Sequence, residues 1–567
     1  MTDNSEKIRF WINGEALFTE LGTTVSSLLK KSHGVEMPCG GRHACGKCMV
    51  YAEGSFAAPS ETEQKLLGAE RLAQGIRLAC FLEAVPDGKI DALRQEADGD
   101  ETICVSTPAP PVANAAGMSP AQPSERASAA PSAEAAPGAR LYRHLGAAVD
   151  IGTTTIAAVL YREGRAVGTM GAWNPQSVFG ADVVSRMEAS LEGKADKLAA
   201  IVREAVSHLL TELAEHAGER EEAIETVIIT GNTSMLYFLT QKDPRCLSRA
   251  PFEADELFGW WTTGEALDLR CRKADVYLPR CMSAFVGADI TTAILGSGLT
   301  ETDCIPGTDG SRKEAAAAID PNVSCRETDG VSAMHSGRAR MMVDVGTNGE
   351  IVLFHKERLI CCATAAGPAF EGAGLSYGMR GVAGAIDHLS WENGSWKVHV
   401  IGDREASTAE GICGSGVIDG VAGLLESGLL EDTGYLEEDV CFAGNVGLTA
   451  ADIREVQLAK GAIRAGMETL LAEEKMDAAG LEGLYVAGGF GSYMSAKSAE
   501  RIGLFPKIDL SRIKICGNAA LAGAVKILHD RSMEKEATAL AERAKTINLG
   551  TSAKFQEFYM KYMMFDE

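Results

Sequence analysis

Residues 146–161 read GAAVDIGTTTIAAVLY, and residues 341–355 read MMVDVGTNGEIVLFH. Each stretch has an apolar run that ends in Asp, one further residue, Gly and Thr, and a second apolar run then follows. Short apolar runs that are bounded by turn residues are typical of strands in a buried sheet. Because the pattern occurs at Asp150 and again at Asp344, 194 residues later, the sequence predicts two related subdomains that face each other.

The turn that follows each of these first strands has the residues that a phosphate site needs. Small residues let backbone N–H groups approach phosphate oxygens, hydroxyl groups add donors, and a carboxylate at the strand end is placed to hold Mg²⁺ through water. A third turn, at 486–492, offers bare glycine backbone to a base and a ribose. One such turn alone is equally typical of a tight β-hairpin, but three in this order indicate a nucleotide site. The predicted phosphate and Mg²⁺ residues are Asp150, Gly152, Thr153, Thr154, Thr155, Asp344, Gly346, Thr347 and Asn348, and the predicted adenosine residues are Gly488, Gly489 and Gly491.

These three turns resemble the ATPase superfamily that includes actin, the large heat-shock chaperones and the sugar kinases. The resemblance covers roughly residues 145–530 and implies two ribonuclease H-like subdomains that bind ATP and Mg²⁺. The chain has no G-x4-G-K-[ST] motif, so it is not a P-loop protein. Glu350 or Asp289 is predicted to orient the attacking water, and a purely structural carboxylate is the alternative for each.

The first eighty residues contain a dense group of cysteines. Cys39, Cys45 and Cys48 have the spacing C-x5-C-x2-C, and Cys80 follows 32 positions after Cys48. Thiolates converge on a compact cluster only if their loop can turn freely, which the intervening glycines allow. The loop resembles that of plant-type and adrenodoxin-type ferredoxins, which implies a β-grasp domain with a [2Fe–2S] cluster on these four cysteines. A zinc site is the alternative, although zinc ribbons usually have two separated C-x2-C knuckles.

Local signals predict the first elements of this domain. Residues 8–18 read as two short strands around Asn13-Gly14, and Val25 to Lys30 read as a short helix. Ser60 begins a Ser-x-x-Glu sequence, which is typical of a helix start.

Composition divides the chain into units. Residues 104–140 are rich in Ala, Pro and Ser, and such a segment buries too little apolar surface to offset the entropy cost of ordering it. We therefore predict a flexible tether there. The predicted fold is an α+β ferredoxin-like domain followed by an α/β ATPase. Its units are 1–103 for the ferredoxin-like domain, 104–140 for the tether, 141–338 for the first ATPase subdomain with a polar insertion at 300–338, and 339–567 for the second.

Finer details resemble the reductive activators of corrinoid proteins, which join a [2Fe–2S] domain to this ATPase. This resemblance implies ATP-dependent transfer of one electron from the cluster to the Co(II) corrinoid of a methyltransferase system, which yields Co(I). A low-potential electron donor would recharge the cluster. The matching stretches are 174–176, 179–186, 231–233, 285–289, 366–372, 414–416, 457–460 and 517–523.

The glycine-rich loop at 371–380 has no evident phosphate role in the sequence. We predict that it faces the corrinoid and that Ser376 approaches cobalt, and an ordinary subdomain-closure loop is the alternative. Three other functions stay open: an activator of a radical-type dehydratase or aromatic reductase, an ATP-switched redox protein without enzymatic activity, and a kinase fused to a ferredoxin. Corrinoid-stimulated ATP hydrolysis or a phosphorylated product would discriminate among them.

Charge and hydropathy limit the partners. The 567 residues have a net charge of −24, which repels phosphate backbones and anionic lipids, so neither nucleic acid nor a membrane surface is an expected partner. No apolar run is long enough to span a membrane, and the N-terminus lacks the apolar segment of a secretory signal. We expect a cytoplasmic protein, and a homodimer is compatible with the sequence.

Overall fold

The computed structural model describes most of the chain outside the predicted tether and insertion. Cys39, Cys45, Gly489 and Gly491 lie outside the described residues, as do nearly all of the tether and the polar insertion. The described residues are 7–12, 15–20, 23–28, 48–53, 56–73, 75–85, 89–92, 140–180, 182–301, 339–402, 404–488 and 494–565.

The N-terminal part forms a mixed five-stranded sheet with the order β2-β1-β5-β3-β4. β1 and β5 pair in parallel, and the other neighbours are antiparallel. The predicted hairpin and both predicted helices are confirmed, and the parallel pairing of the first and last strands fits a β-grasp. The elements are β1 (Lys7–Ile12), β2 (Glu15–Glu20), α1 (Val25–Leu28), β3 (Met49–Glu53), α2 (Glu61–Ala73), β4 (Ile76–Leu78) and β5 (Lys89–Ala92).

α2 begins where the sequence places it. The Ser60 hydroxyl accepts a hydrogen bond from the Glu63 N–H at 3.1 Å, which caps the helix. The Glu63 carboxylate is fully buried and accepts hydrogen bonds from Arg77 Nη2 and the Leu78 N–H, both at 2.9 Å. Glu63 therefore fixes α2 against β4.

The first ATPase half is a six-stranded sheet with the order β10-β11-β9-β6-β7-β8 and helices around it. Its strands are β6 (Leu145–Ile151), β7 (Thr155–Arg162), β8 (Arg165–Trp173), β9 (Ile224–Gly231), β10 (Trp260–Thr263) and β11 (Asp275–Leu278). Its helices are α3 (Val183–Ala189), α4 (Ala195–His216), α5 (Thr233–Thr240), α6 (Arg245–Ser248) and α7 (Ala288–Ser297).

The second half has a six-stranded sheet with the order β21-β20-β12-β13-β14-β22, together with two smaller sheets. Its strands are β12 (Ala339–Val345), β13 (Gly349–His355), β14 (Arg358–Thr364), β15 (Ala385–Glu392), β16 (Ser395–Val400), β17 (Gly411–Ile412), β18 (Val440–Ala443), β19 (Val446–Leu448), β20 (Leu481–Ala487), β21 (Ile513–Gly517) and β22 (Lys545–Thr546). Its helices are α8 (Gly414–Ser427), α9 (Ala450–Glu473), α10 (Ala496–Arg501), α11 (Ala519–His529), α12 (Ser532–Arg543) and α13 (Ala553–Tyr562).

Five strands of each large sheet share one topology, which confirms the predicted duplication, and the sixth strands, β10 and β22, lie at opposite edges. In the first, the antiparallel run β6-β7-β8 is extended by β9 and β11, both parallel to β6. In the second, β12-β13-β14 is extended in the same way by β20 and β21. Asp150 and Asp344 are each the second-last residue of the central strand. The fold therefore places both carboxylates at equivalent points.

The halves meet where α7 crosses α11. A Cβ atom on Gly523 would lie 1.7 Å from the Thr292 carbonyl oxygen, and one on Gly296 would lie 2.1 Å from that of Ala519. Only glycine permits this backbone approach, because any side chain would overlap the facing helix. Apolar side chains of both halves, including Ile294 and Leu521, form one continuous core around the crossing.

Candidate functional site

Three asparagines hold the first predicted phosphate loop. The Asn174 side-chain amide donates to the Gly152 carbonyl at 2.8 Å, and that of Asn232 donates to Thr153 Oγ1 at 3.2 Å. The third asparagine, Asn518, donates to Asp150 Oδ2 at 2.9 Å. Each also caps a helix or 3₁₀ turn with its side-chain oxygen, so its position is fixed by backbone geometry. Asn518 belongs to the second half and therefore joins the two halves at this loop.

The second predicted phosphate loop repeats the geometry around Asp344. Gly488 follows β20 with φ of +96°, and a Cβ atom there would lie 2.6 Å from Asp344 Oδ1. Its bare backbone therefore packs against the carboxylate, whereas Gly489 and Gly491 fall outside the described residues. On the other side, the Gly346 N–H donates to the Asn348 carbonyl at 3.2 Å, which closes the turn.

Four acidic side chains come together between these loops, and Glu350 is buried while Asp150, Asp289 and Asp344 are half-buried. Burial is the main cause of the raised pKa of each, about 6 for Asp150 and about 7 for Asp344. The pKa of Asp289 is raised well above its usual value by burial and by the charges of Asp150 and Asp344. The pKa of Glu350 is raised in the same way by burial, Asp289 and Asp344. Because these carboxyl groups raise one another's pKa, the four predicted residues are near neighbours in the cleft.

Such a cluster fits a bound cation. Four carboxylates in a low-dielectric site repel one another, and a divalent cation would offset two of their negative charges. Within the described residues, no three His, Cys, Asp or Glu side chains are close enough to hold a metal ion together. Mg²⁺ retains several water ligands and would contact carboxylates such as Asp150 and Asp344 through them.

The hydroxyl groups of the two loops point toward each other across the cleft. Thr154 Oγ1 and Thr347 Oγ1 are 3.5 Å apart, although one belongs to each half. Thr155 begins β7 and accepts a hydrogen bond from the Gly152 N–H at 2.8 Å, so its backbone shapes the turn. The structure therefore brings Thr154 and Thr347 to a common point, where donors from both halves can serve one anion.

Glu371 occupies this common point and was not assigned a role from the sequence. Its Oε1 accepts from the Thr347 N–H at 2.6 Å and from the Thr347 hydroxyl at 2.9 Å. Its Oε2 accepts from the Thr154 hydroxyl. The chain positions Glu371 at the end of a 3₁₀ turn, Ala369–Glu371, directly before Gly372 with φ of +73°.

The loop that contains Ser376 follows directly from Glu371. Ser376 is exposed, and its N–H and hydroxyl donate to Asp452 Oδ1 at 2.7 and 3.1 Å, which ties the loop to the start of α9. Further along, the Arg380 guanidinium stacks 3.3 Å above the centre of the Trp173 ring, which lies at the end of β8. The proximity of Ser376 to a corrinoid stays a prediction.

The two described cysteines of the predicted cluster lie side by side. Cys48 Sγ and Cys80 Sγ are 3.3 Å apart and buried, and the Ala79 N–H donates to the Cys48 carbonyl at 2.8 Å. Two thiolates on one tetrahedral metal centre lie about 3.7 Å apart for metal–sulfur bonds of about 2.3 Å. The pair therefore fits ligation to iron or to zinc.

Not every stretch that suggested the resemblance reaches the cleft. The Lys460 ammonium donates to the Met564 carbonyl and lies 5.0 Å from the centre of the Phe565 ring. Gln457 Nε2 donates to the Thr433 carbonyl at 3.0 Å. Lys460 therefore holds the C-terminal segment on α9, and Gln457 holds the loop that contains Thr433 on the same helix. A separate groove of about 450 Å³ between β15, β16, α8 and α10 contains none of the predicted site residues.

Comparison with known proteins matches most of the chain to one family. The family model described as the C-terminal domain of RACo, the ASKHA domain, matches residues 338–567, and the model described as the RACo middle region matches residues 145–302. The corrinoid activation enzyme RamQ of Eubacterium limosum is 30% identical over 460 residues, which cover 74% of this chain and 70% of RamQ. The chain belongs to the RACo family of reductive activators.

Two further relatives agree with this membership. The [Co(II) methylated amine-specific corrinoid protein] reductase of Methanosarcina barkeri is 32% identical over 243 residues, or 39% of this chain and 45% of that protein. The solved structure of a reductive activator for corrinoid, iron-sulfur protein is 25% identical, covers 98% of both chains and gives a TM-score of 0.64. Family membership confirms the actin-like and sugar kinase-like architecture of the ATPase part. Among the described helices of this RACo-family chain, none is both long and apolar enough for a membrane span.

Proposed function

We propose that this chain is an ATP-dependent reductive activator that passes one electron to the Co(II) corrinoid of a methyltransferase protein. The reaction consumes one electron per cobalt and yields Co(I). The observation that carries the proposal is the cluster of four carboxylates between two threonine loops, in a chain with a cysteine-bearing mixed sheet. The relatives' names support the choice of a corrinoid protein as substrate.

The ATP site is assigned to the cleft. Asp150 and Asp344 are placed to hold Mg²⁺ through water, while Thr153, Thr154 and Thr347 offer hydroxyl groups to phosphates. Gly152, Thr155, Gly346 and Asn348 shape the two turns. Mg²⁺ at this site would neutralise charge on the phosphates of ATP. Asp289 and Glu350 lie in the same cluster, which supports a role for one of them in orienting water.

The electron site is assigned to the N-terminal sheet. A [2Fe–2S] cluster would be held by Cys48 and Cys80 together with Cys39 and Cys45, and it would supply one electron at a time. Plant-type clusters have potentials near about −400 mV. Each 100 mV of shortfall against Co(II) costs about 2.3 kcal/mol for one electron. In this proposal, the free energy of ATP hydrolysis by the same chain offsets the difference in reduction potential between the cluster and Co(II).

The remaining assignments complete the proposal. The electron donor is a low-potential one-electron carrier. The protein acts in the cytoplasm. Residues 1–103 move on the tether 104–140 between the electron donor and the corrinoid protein. The ATPase subdomains are 141–338 and 339–567. A homodimer is compatible with this scheme, since each chain has a complete set of the proposed residues.

Absorbance spectroscopy tests the function directly. The reduced full-length protein is mixed with a Co(II) corrinoid protein of a methyltransferase system, with Mg-ATP, with Mg-ADP or without nucleotide. We expect the Co(I) band to appear only with Mg-ATP, and Asp344→Ala to abolish it while the oxidised cluster spectrum is unchanged. Formation of Co(I) at the same rate and yield without nucleotide would contradict the proposal.

A further inference from the structure

Glu371 uses the donors that a nucleotide phosphate needs. Its carboxylate accepts from the Thr347 N–H and hydroxyl and from the Thr154 hydroxyl, so one side chain engages both halves. A Cβ atom on Gly346 would lie 3.3 Å from Glu371 Oε1, so the carboxylate rests against the turn itself. The two carboxylate oxygens of Glu371 therefore occupy positions that two oxygens of a phosphate could take on these donors.

The surroundings of Glu371 also suit a phosphate. Arg186 is fully buried, and burial lowers its pKa to about 10, whereas the charges of Asp182 and, to a smaller extent, Glu371 act in the opposite direction. The Arg186 Nη2 atom has no hydrogen-bond partner within the described part of the chain. A buried guanidinium with an unused donor near an anion position is an independent sign that the position is built for negative charge.

A carboxylate and a phosphate oxygen cannot share these donors. Both are anions, and like charges at hydrogen-bond distance in a partly buried site repel strongly. A nucleotide whose phosphate binds between Thr154 and Thr347 must therefore move Glu371. The short 3₁₀ turn that positions Glu371 ends at Gly372, whose positive φ marks the point where the chain direction changes.

Displacement of Glu371 would affect the loop that follows it. Residues 371–380 contact the first half at both ends, through Glu371 on Thr154 and through Arg380 on Trp173. Ser376 lies between these contacts and is held by Asp452 of the second half. Loss of the first contact removes the hydrogen bond that holds the start of this loop to the first half.

We propose that Glu371 is an internal ligand of the two phosphate loops, which a nucleotide phosphate displaces to release the loop 371–380 from the first half. The proposal rests on the proposed ATP site and adds the route by which nucleotide binding reaches the loop around Ser376. Glu371 acts through position and charge, and it competes with nucleotide in the free protein.

Binding of a non-hydrolysable Mg-ATP analogue to Glu371→Gln tests the competition. The neutral amide keeps the shape but loses the repulsion, so the analogue should bind about tenfold more tightly than to the wild type. Glu438→Gln, an exposed residue of the same half, is the matched control and should bind like the wild type. Unchanged or weaker binding by Glu371→Gln, with an unaltered melting temperature, would overturn the proposal.

Hydrogen exchange of the full-length protein provides the second readout. In the wild type, the analogue should increase amide exchange within 372–380, which a purely structural role for Glu371 would not do. Without nucleotide, amide exchange within 372–380 should already be faster in Glu371→Gln than in the wild type, because the contact of the amide with Thr154 is weaker. If the wild type itself failed to bind the analogue, the ATP site would be wrong. If the wild type bound it without any exchange change in 372–380, only the role of Glu371 would be wrong.

Discussion

Asn518 shows how one side chain can serve both stability and ligand binding. Its oxygen caps α11 by accepting from the Leu521 N–H at 2.8 Å, and its amide donates to Asp150. Asn518→Ser should retain the cap, because serine is also a favoured N-cap residue, but its side chain is too short to reach Asp150. Removal of this hydrogen-bond donor leaves the Asp150 carboxylate less well solvated, at a free-energy cost of about 1–3 kcal/mol. We expect Mg-ATP affinity to fall roughly tenfold, as measured by equilibrium titration.

Asn548 provides the matched control for this prediction. It caps the 3₁₀ turn Leu549–Thr551 through the Gly550 N–H and contacts none of the site residues. Asn548→Ser should therefore leave Mg-ATP affinity unchanged. Equal Mg-ATP affinities of Asn518→Ser and Asn548→Ser would show that Asn518 only caps the helix and does not support nucleotide binding.

The sequence identifies the acidic residues of the cleft but not their partners. Asp150 and Asp344 stand at strand ends before Gly-Thr turns, and that local pattern is visible without a structure. Asn518 is 368 positions from Asp150, and Glu371 is 217 positions from Thr154. No spacing rule joins residues so far apart, because only the packing of the two halves brings them together. The asparagine caps offer a signal, since each follows a strand that ends near the cleft.

At the level of elements, the crossing of α7 and α11 sets the distance between the halves. Gly523→Ala places a Cβ atom within 1.7 Å of the Thr292 carbonyl oxygen, so one helix must shift. Overpacking of this kind typically costs 1–3 kcal/mol, and we expect about 3 kcal/mol here because backbone faces backbone. The free energy of unfolding from urea titration measures the effect.

A neighbouring position on α11 serves as the control for this helix crossing. Ala522 is only partly buried. Ala522→Ser should change the free energy of unfolding by no more than about 0.5 kcal/mol. Because Gly523→Ala by itself raises helix propensity, a loss in this variant that is no larger than in Ala522→Ser would contradict the role of the close crossing.

The hairpin of β15 and β16 carries a pH-dependent contact with α8. The hydrogen bond from His388 to the buried Asp419 carboxylate, at 3.0 Å, raises the pKa of His388. A raised histidine pKa stabilises the fold below about pH 6.5, the unfolded value, and the effect disappears as pH rises through the folded value. His388→Gln should therefore lose more stability at about pH 5.5 than at about pH 8.5 in urea titrations.

The exposed His208 on α4 gives the comparison for this titration. His208→Gln should show a smaller change in its stability deficit between the two pH values, because its side chain is 60% exposed and solvent screens its contact with Glu212. A pH-independent deficit in His388→Gln would contradict the role of the histidine charge.

Elements with strong patterns were predictable and those with weak patterns were not. The buried strands that contain Asp150 and Asp344 are apolar except for these two aspartates and Arg340, so their duplication follows from the sequence. β16 alternates exposed and half-buried residues at the surface, and the sequence analysis assigned no strand there. The stability of β16 depends on its packing against α8, and the local residue pattern contains no information about this packing.

For the whole molecule, the electron and nucleotide sites are expected to be separable. Cys45→Ser should abolish the visible spectrum of the [2Fe–2S] cluster, because one thiolate ligand is lost. Binding of Mg-ATP should be unchanged, since its residues belong to the two large sheets. Spectroscopy and nucleotide titration on the same preparation measure both. Loss of nucleotide binding together with the cluster would show that the two parts depend on each other to fold.

The single core around the α7–α11 crossing has a consequence for biosynthesis. A ribosome completes α7 at Ser297, but α11 begins at Ala519, some 220 residues later. At about 5–20 residues per second, the wait is roughly 10–45 s. During this interval, the apolar face of α7 is exposed on the nascent chain. Folding of the first half during translation must therefore remain incomplete, and chaperones that cover apolar surface would be needed most at this stage.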